Sequence, residues 1–185
     1  MKELFEAVRS GDSGRVAALV EADPTLAIFA AAIQGDVARL ETLLAGNRSL
    51  ISTVSADGWT PLHLAAHFGQ RDAARALLNK GAEVNARSTN ALNNCPLHAA
   101  AAGRSAAVVK LLIDHGASVN ARQHGGWAAI HAAAQTGDLE MARLLSEAGA
   151  DLSVRADNQQ RPIDLALTGG RQTMVEFLEA HGAAL

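Results

Sequence analysis

The chain has little with which to do covalent or redox chemistry and nothing that would hold it in a bilayer. One cysteine, Cys95, occurs in 185 residues, so no internal disulfide can form and an intracellular setting is favoured. There is no tyrosine, and aromatic residues make up only 3% of the chain. A core without aromatics has to be assembled from Ala, Leu, Val and Ile, so each large ring asks for its own explanation. No stretch reaches the run of about 18 uncharged apolar residues that a membrane span needs. The opening MKELFEAVRSGD interleaves charge with apolar groups, unlike a signal peptide. A cytoplasmic protein without membrane association is expected, and the sequon Asn47-Arg48-Ser49 is expected to carry no glycan. The net charge of −3 gives no nucleic-acid footprint. What remains is an ordinary globular balance, 49% hydrophobic and 19% charged, sized for one domain.

Internal repetition organises that domain. TPLHLAAHFGQRDAARALLNKGAEVNAR, CPLHAAAAGRSAAVVKLLIDHGASVNAR and AAIHAAAQTGDLEMARLLSEAGADLSVR align with little adjustment, and RPIDLALTGGRQTMVEFLEAHGA keeps the same frame. The anchor positions are His63, His98, His131 and Asp164, spaced 35, 33 and 33, and each is followed 18 residues later by a glycine: Gly81, Gly116, Gly149 and Gly182. Two degenerate copies come first, with Phe5 and Phe29 at the anchor position. The step between those two is only 24 residues, short by about the length of a turn and finger, so the first unit is expected to be a bare helix pair passing directly into the next at Asp23-Pro24. Each unit reads as two helices. Thr60 suits an N-cap and Pro61 the first helical turn. Asp36, Asp72 and Asp138 suit the start of the second helix, and the trailing glycine suits a left-handed C-cap, with Asn47 standing in for it in the second unit. Polar, turn-rich stretches such as AEVNARSTNALNN are expected to project as hairpins.

TPLH, the following Ala pair, the spaced Leu run, the G-A-x-V-N segment and the period of about 33, all standing within residues 56–123, resemble the ankyrin repeat, and the resemblance extends over nearly the whole chain. It implies an all-α solenoid of about six helix-turn-helix units with short β-hairpin or loop fingers, one domain over 1–185. The unit boundaries fall near 1–23 (an N-terminal cap), 24–55, 56–88, 89–123, 124–156 and 157–185 (a C-terminal cap). Departures occur: Cys95 replaces the capping Thr, Ala128-Ala129 replace Thr-Pro, Asp164 replaces His, and Gly103 comes one place earlier than its counterparts.

Seven histidines raise the question of metal or catalysis. His63, His98 and His131 share one repeat position, where the resemblance implies hydrogen bonds to the Thr of the same tetrapeptide and to nearby backbone. Stacked helices lie about 8–10 Å apart, too far for shared coordination at about 2 Å per bond. His115 and His181 precede the C-cap glycines, where an imidazolium would suit the helix C-terminus. His67 and His124 have no such role, yet no spacing of Cys and His suggests a zinc site. No nucleophile elbow or phosphate loop is present. Neither enzyme activity, cofactor nor metal is expected.

The tryptophans are more informative. Trp59 and Trp127 each lie four residues before an anchor histidine. In ankyrin-like domains that position, and those two and three places before it, face the concave groove, as do positions four and five after the anchor. Mapped onto this chain, the expected partner-binding surface holds Asp57, Trp59, His67 and Phe68; Leu92 and Asn94; His124, Trp127, Gln135 and Thr136; and Asn158 and Gln160. Trp59 could equally pack along its hairpin stem, whereas Phe68 is expected to stand clear of the core. A non-catalytic scaffold is expected, a monomer that binds a protein partner through groove and finger tips. The alternative is a homodimer formed through the same aromatic patch.

Overall fold

A computed structural model describes residues 1–182. Twelve α-helices occupy them, in six consecutive pairs: α1 Lys2–Arg9 and α2 Ser13–Ala22; α3 Leu26–Gln34 and α4 Val37–Gly46; α5 Pro61–His67 and α6 Arg71–Asn79; α7 Pro96–Ala102 and α8 Ala106–Asp114; α9 Ala129–Thr136 and α10 Leu139–Glu147; α11 Pro162–Thr168 and α12 Gln172–Ala180. The first helices of successive pairs pack side by side from α1 through α11, and the second helices form an outer layer from α4 through α12. The result is the all-α repeat solenoid that the periodicity implies. The first pair runs into α3 without a finger, as the shortened first step requires.

The inner layer is close-packed because its helices are built of small residues. Ala65, Ala66, Ala99, Ala100, Ala133 and Ala134 are all sealed from solvent, which lets neighbouring backbones approach. The larger core groups sit beside the anchors. Leu62, Leu97, Ile130 and Ile163 immediately precede them and are each 0–1% exposed. Truncating any one to Ala would cost about 2–5 kcal/mol.

Caps and stops follow local chemistry. Asp36 and Asp138 accept the N–H of Arg39 and Met141 at the start of α4 and α10, both with the N-cap aspartate three residues before the donor. Asp72 lies one residue inside α6, whose cap is Gln70. Gly81, Gly116, Gly149 and Gly182 take φ between 84° and 97° just past their helices, the left-handed stop that glycine adopts most cheaply. Asn47 departs from that pattern. Its backbone is extended, and its side chain instead accepts the N–H of Ser49 to start a short 3-10 turn over Arg48–Ser52. A cap residue that can hydrogen-bond the next turn has no need of the left-handed region.

The fingers are simpler than β-hairpins. Among the described residues there is no strand. Each finger is closed by one main-chain bond: Ser55 to Trp59, Ser88 to Asn94, Gln123 to Trp127 and Ala156 to Gln160, all from N–H to carbonyl at 2.8–2.9 Å. Neighbouring fingers are also joined by main-chain bonds, from Thr89 to Gly58, His124 to Leu92 and Asp157 to Gly125. Below them, the Asn85 amide bridges Gly116 and Ser118, and the Asn120 amide bridges Gly149 and Asp151.

The anchor histidines cross from unit to unit. His63 Nε2 lies 3.1 Å from the Asn94 carbonyl, His98 Nε2 3.2 Å from that of Trp127 and His131 Nε2 3.3 Å from that of Gln160. A carbonyl can only accept, so each Nε2 carries the proton and each Nδ1 is a free acceptor. Nδ1 then takes the cap N–H of its own helix, from Thr60, Cys95 or Ala128. The Thr60 hydroxyl adds a second donor at 2.8 Å, and the Cys95 thiol occupies the same place at 2.9 Å from His98. Burial also pushes that thiol's pKa up, so Cys95 acts as a neutral capping group. Asp164 keeps only half of the device: its carboxylate accepts the Arg161 N–H at 2.8 Å and pairs with the Arg161 guanidinium at 2.7 Å.

Burial lowers the pKa of His63 and of His98 to about 4, against the opposing pull of the carbonyls they serve, and lowers that of His131. These imidazoles are neutral in the folded chain and titrate near 6.5 when unfolded. The unfolded state therefore binds more protons below pH 6.5, and stability falls with acid. The stabilisation is complete above pH 6.5 and is lost as the pH falls toward 4, by about 2 kcal/mol for each of His63 and His98 at pH 4.5. The urea midpoint is expected to drop across this window, while nitrogen NMR finds both rings neutral and Nε2-protonated at pH 5.5. Rings that charge near pH 6.5 in the folded protein would contradict the assignment.

Candidate functional site

The groove residues are placed by the element just described. The position four before each anchor carries Trp59, Asn94, Trp127 and Gln160. Its carbonyl closes its own finger, and in the last three it also receives the imidazole of the preceding unit. With the backbone held at both lone pairs, the side chain has a fixed origin on the inner face of the stack.

Two adjoining cavities open on that face. The larger, about 570 Å3, is lined by Phe5, Arg9, Asp57, Trp59, His67, Phe68 and Asn90. The smaller, about 230 Å3, has walls of Trp59, His67, Leu92 and Trp127, with Asn94 and alanines from α7 and α9 around them. Trp59 and His67 border both; the two cavities adjoin across these side chains and are together called the slot. The rings contact one another. Trp59 lies over its own anchor His63 at a centroid distance of 6.1 Å and edge-on to His67 at 5.1 Å; His67 meets Phe68 at 5.2 Å, and Phe68 meets Phe5 at 5.7 Å. Trp127 likewise lies over His131 at 5.2 Å.

Seven of the twelve residues expected from the sequence border this slot: Asp57, Trp59, His67, Phe68, Leu92, Asn94 and Trp127. His124, Gln135, Thr136, Asn158 and Gln160 border neither cavity. His124 and Gln135 are exposed, Thr136 turns its hydroxyl back to the Ala132 carbonyl, and the Asn158 and Gln160 side chains bond each other. Two expectations about burial are revised. Phe68 does not stand clear of the core: both it and Trp59 are half-buried and packed against it, so truncating either costs stability as well as surface. Asn94 is only 3% exposed. Leu92, by contrast, is 46% exposed.

Phe5, Arg9 and Asn90 escaped the sequence reading. Phe5 aligns with the buried anchors, yet it is half-buried and forms a wall of the larger cavity. Phe5 and Arg9 are one helical turn apart and share a face, and no finger projects between α2 and α3 to cover them. The missing finger, visible as the 24-residue step, was the available signal. Asn90 sits in the finger of the fourth unit, between Ser88 and Asn94, where its amide donates to the Asp57 carbonyl at 2.8 Å.

Three buried polar atoms have no hydrogen-bond partner among the described residues: Trp59 Nε1, His67 Nδ1 and Asn94 Oδ1. All three belong to residues that border the slot. Burial keeps the His67 pKa below the ordinary imidazole range, partly offset by the main chain at Ala99. No group of three or more His, Cys, Asp or Glu side chains suited to a metal occurs among the described residues, and no described helix is long and apolar enough to cross a membrane.

An uninterrupted stack of helix pairs defines a helical repeat protein, and one face of the stack carries an open, ring-lined slot. A family model for ankyrin repeats (three copies) matches residues 4–88 and 97–185, and the chain belongs to the ankyrin-repeat family. Over 67 residues it is 34% identical to bovine ankyrin repeat domain-containing protein 49, a match covering 36% of this chain and 28% of that protein. Over 28 residues it is 64% identical to human oxysterol-binding protein-related protein 1, covering 15% of this chain and 3% of that protein. The chain thus matches less than a third of either relative's length. Ankyrin repeats generally mediate protein–protein interaction, and the family is generally non-catalytic.

The slot depends on a close approach beneath it. Gly103 has an ordinary helical φ of −75°, but a Cβ there would collide with the carbonyl of His67. The left-handed turn its counterparts supply falls instead on Arg104, at φ 56°. Gly103→Ala is expected to cost about 1–3 kcal/mol and to shift Trp59 fluorescence by displacing His67. Gly116→Ala, whose Cβ meets open space at φ 84°, should cost about 1 kcal/mol without the spectral shift. Thermal melts read with tryptophan emission check both; equal spectral effects would contradict the contact.

Proposed function

We propose that this chain is a non-catalytic scaffold that holds a protein partner in its concave groove and against its finger tips. The observation that carries this is the pair of adjoining cavities around Trp59 and Trp127, where half-buried rings and an exposed leucine open onto one face of an otherwise close-packed stack. Apolar surface left uncovered in this way marks a contact site, and tryptophan is favoured as a contact anchor. The packed helices hold these rings in place beforehand, so little ordering entropy is lost on binding. The groove carries few charges, Arg9 and Asp57 at one end, which suits a protein better than a nucleic acid. The proposed setting is the cytoplasm and the proposed state a monomer.

Leu92 separates binding from folding, because it is exposed and its finger is held through main-chain bonds. Leu92→Glu is expected to remove the partner retained from an extract of the source cells and to move the melting temperature by less than about 2 °C, the scale of a surface substitution. Retention unchanged by Leu92→Glu would contradict the proposal. A concentration-dependent dimer in sedimentation that Leu92→Glu abolishes would assign the slot to self-association instead.

A further inference from the structure

We infer that α1 and α2 form a detachable cap: they leave the stack and melt together about Asp23-Pro24, and the larger cavity exists only while they are docked. This is a property of the chain's own conformations and holds whatever the groove binds.

The fastening of the units carries it. From the second unit onward, each neighbouring pair shares at least one hydrogen bond: the Gln70 amide to the Ile33 carbonyl at 2.8 Å, then His63 to Asn94, His98 to Trp127 and His131 to Gln160. Among the described residues, no hydrogen bond or ion pair joins residues 1–22 to any residue after Asp23. The first pair is held by side-chain packing alone, with Leu4, Ala7 and Val16 buried and Phe5 against Phe68. α2 also stands outside the outer layer that begins with α4. A cavity of about 480 Å3 undercuts its seam, between Val16, Ala17 and Val20 of α2 and Ala27, Ala30 and Ala31. Undocking therefore breaks no hydrogen bond between units and parts a seam that is already partly open. The far end differs. The last pair is tied down by the His131 bond, by the Asp157 N–H to the Gly125 carbonyl and by the Arg122–Asp157 pair at 3.7 Å.

Within the cap the two helices are bonded to each other. The Asp12 N–H reaches the Ala7 carbonyl at 2.9 Å, and Arg15 pairs with Glu3 at 3.6 Å. Off the stack neither helix can persist, because they are 8 and 10 residues long and an isolated helix shorter than about 12–15 residues is marginal in water. Loss of docking is therefore loss of both, a single cooperative unit of low local stability. The hinge lies before α3. Asp23 is extended, at φ −139°, and its carboxylate accepts the N–H and hydroxyl of Thr25, so it stays with α3 when the cap leaves.

α1 contributes Phe5 and Arg9 to the larger cavity, and the end of α5 and the fingers supply the rest. Undocking removes that wall, uncovers Phe68 and opens the Trp59 side of the ring cluster to water. Closure of the cap and occupancy of the cavity are thus one equilibrium: whatever touches α1 and a finger at once favours the docked state, and docking favours it in return.

Amide hydrogen exchange on the full chain at neutral pH, read by mass spectrometry, tests this. The hydrogen-bonded amides of α1 and α2 are expected to share one level of protection, at least about tenfold below that of α11 and α12. Leu4→Ala, on α1 alone, is expected to speed exchange in α1 and α2 by the same factor, at least about tenfold, and to leave α5 to α12 unchanged. In a Trp127→Phe background, where Trp59 is the only tryptophan, the same substitution is expected to shift emission to the red and to increase quenching by acrylamide. If Leu4→Ala fails to fold by circular dichroism, the wild-type pattern alone decides. Protection that rises steadily from Met1 through α2, a Leu4→Ala effect confined to α1, or equal protection at the two ends of the stack would each replace the cap by ordinary fraying and overturn the inference. A cap that opens while Trp59 emission stays fixed would overturn its link to the cavity.

Discussion

One carbonyl oxygen per unit, four residues before the anchor, ties the stack to the face on which the slot opens. In the units of Asn94, Trp127 and Gln160 it accepts two hydrogen bonds, one closing its own finger and one arriving from the imidazole of the unit before. The finger has no strand ladder to stiffen it, and these two bonds add to those that join it to its neighbours. The imidazole bond requires a proton on Nε2, and the cap N–H arriving at Nδ1 requires the ring to be neutral; burial keeps His63 and His98 neutral. The anchor histidine thus acts at a distance of one repeat: it caps its own helix through Nδ1 and positions the next unit's groove residue through Nε2.

Where the device is incomplete, the groove is built differently. Phe29 occupies the anchor position before Trp59 and is buried in the core, so the Trp59 carbonyl receives only the Ser55 N–H. The ring is supported instead by side-chain contacts, with His63 beneath it, His67 at its edge and Phe68 and Phe5 beyond. The larger cavity lies at this end, where α1 supplies a wall in place of a finger. The slot therefore joins a side-chain-built half around Trp59 to a backbone-held half around Asn94 and Trp127.

Most of the fold was legible because its determinants are local and repeated. Thr60-Pro61 starts a helix wherever it stands, and glycine 18 residues past the anchor ends one. The slot was legible in part: the repeat frame named Trp59, His67, Leu92 and Trp127 as sharing a face, and the cavities gather them. What escaped depends on contacts between units. The reason for Gly103 is the carbonyl of His67 on the neighbouring helix, which no property of the local sequence reveals. Phe5 looks like an anchor by alignment but lies on a helix that no finger covers. Asn94 occupies the tryptophan position, yet its shorter side chain is buried. Asn47 was assigned from glycine's habit, although an asparagine side chain can cap the following turn.

The claim that an anchor imidazole holds the next unit's groove residue is tested most directly by backbone nitrogen relaxation at the two tryptophans in a folded His98→Leu variant. The Trp127 carbonyl loses its imidazole donor in that variant, whereas Trp59 keeps every contact described for it. A fall in the order parameter at Trp127 with Trp59 unchanged is the predicted result; equal order at Trp127 with and without His98, or an equal loss at both tryptophans, would contradict it.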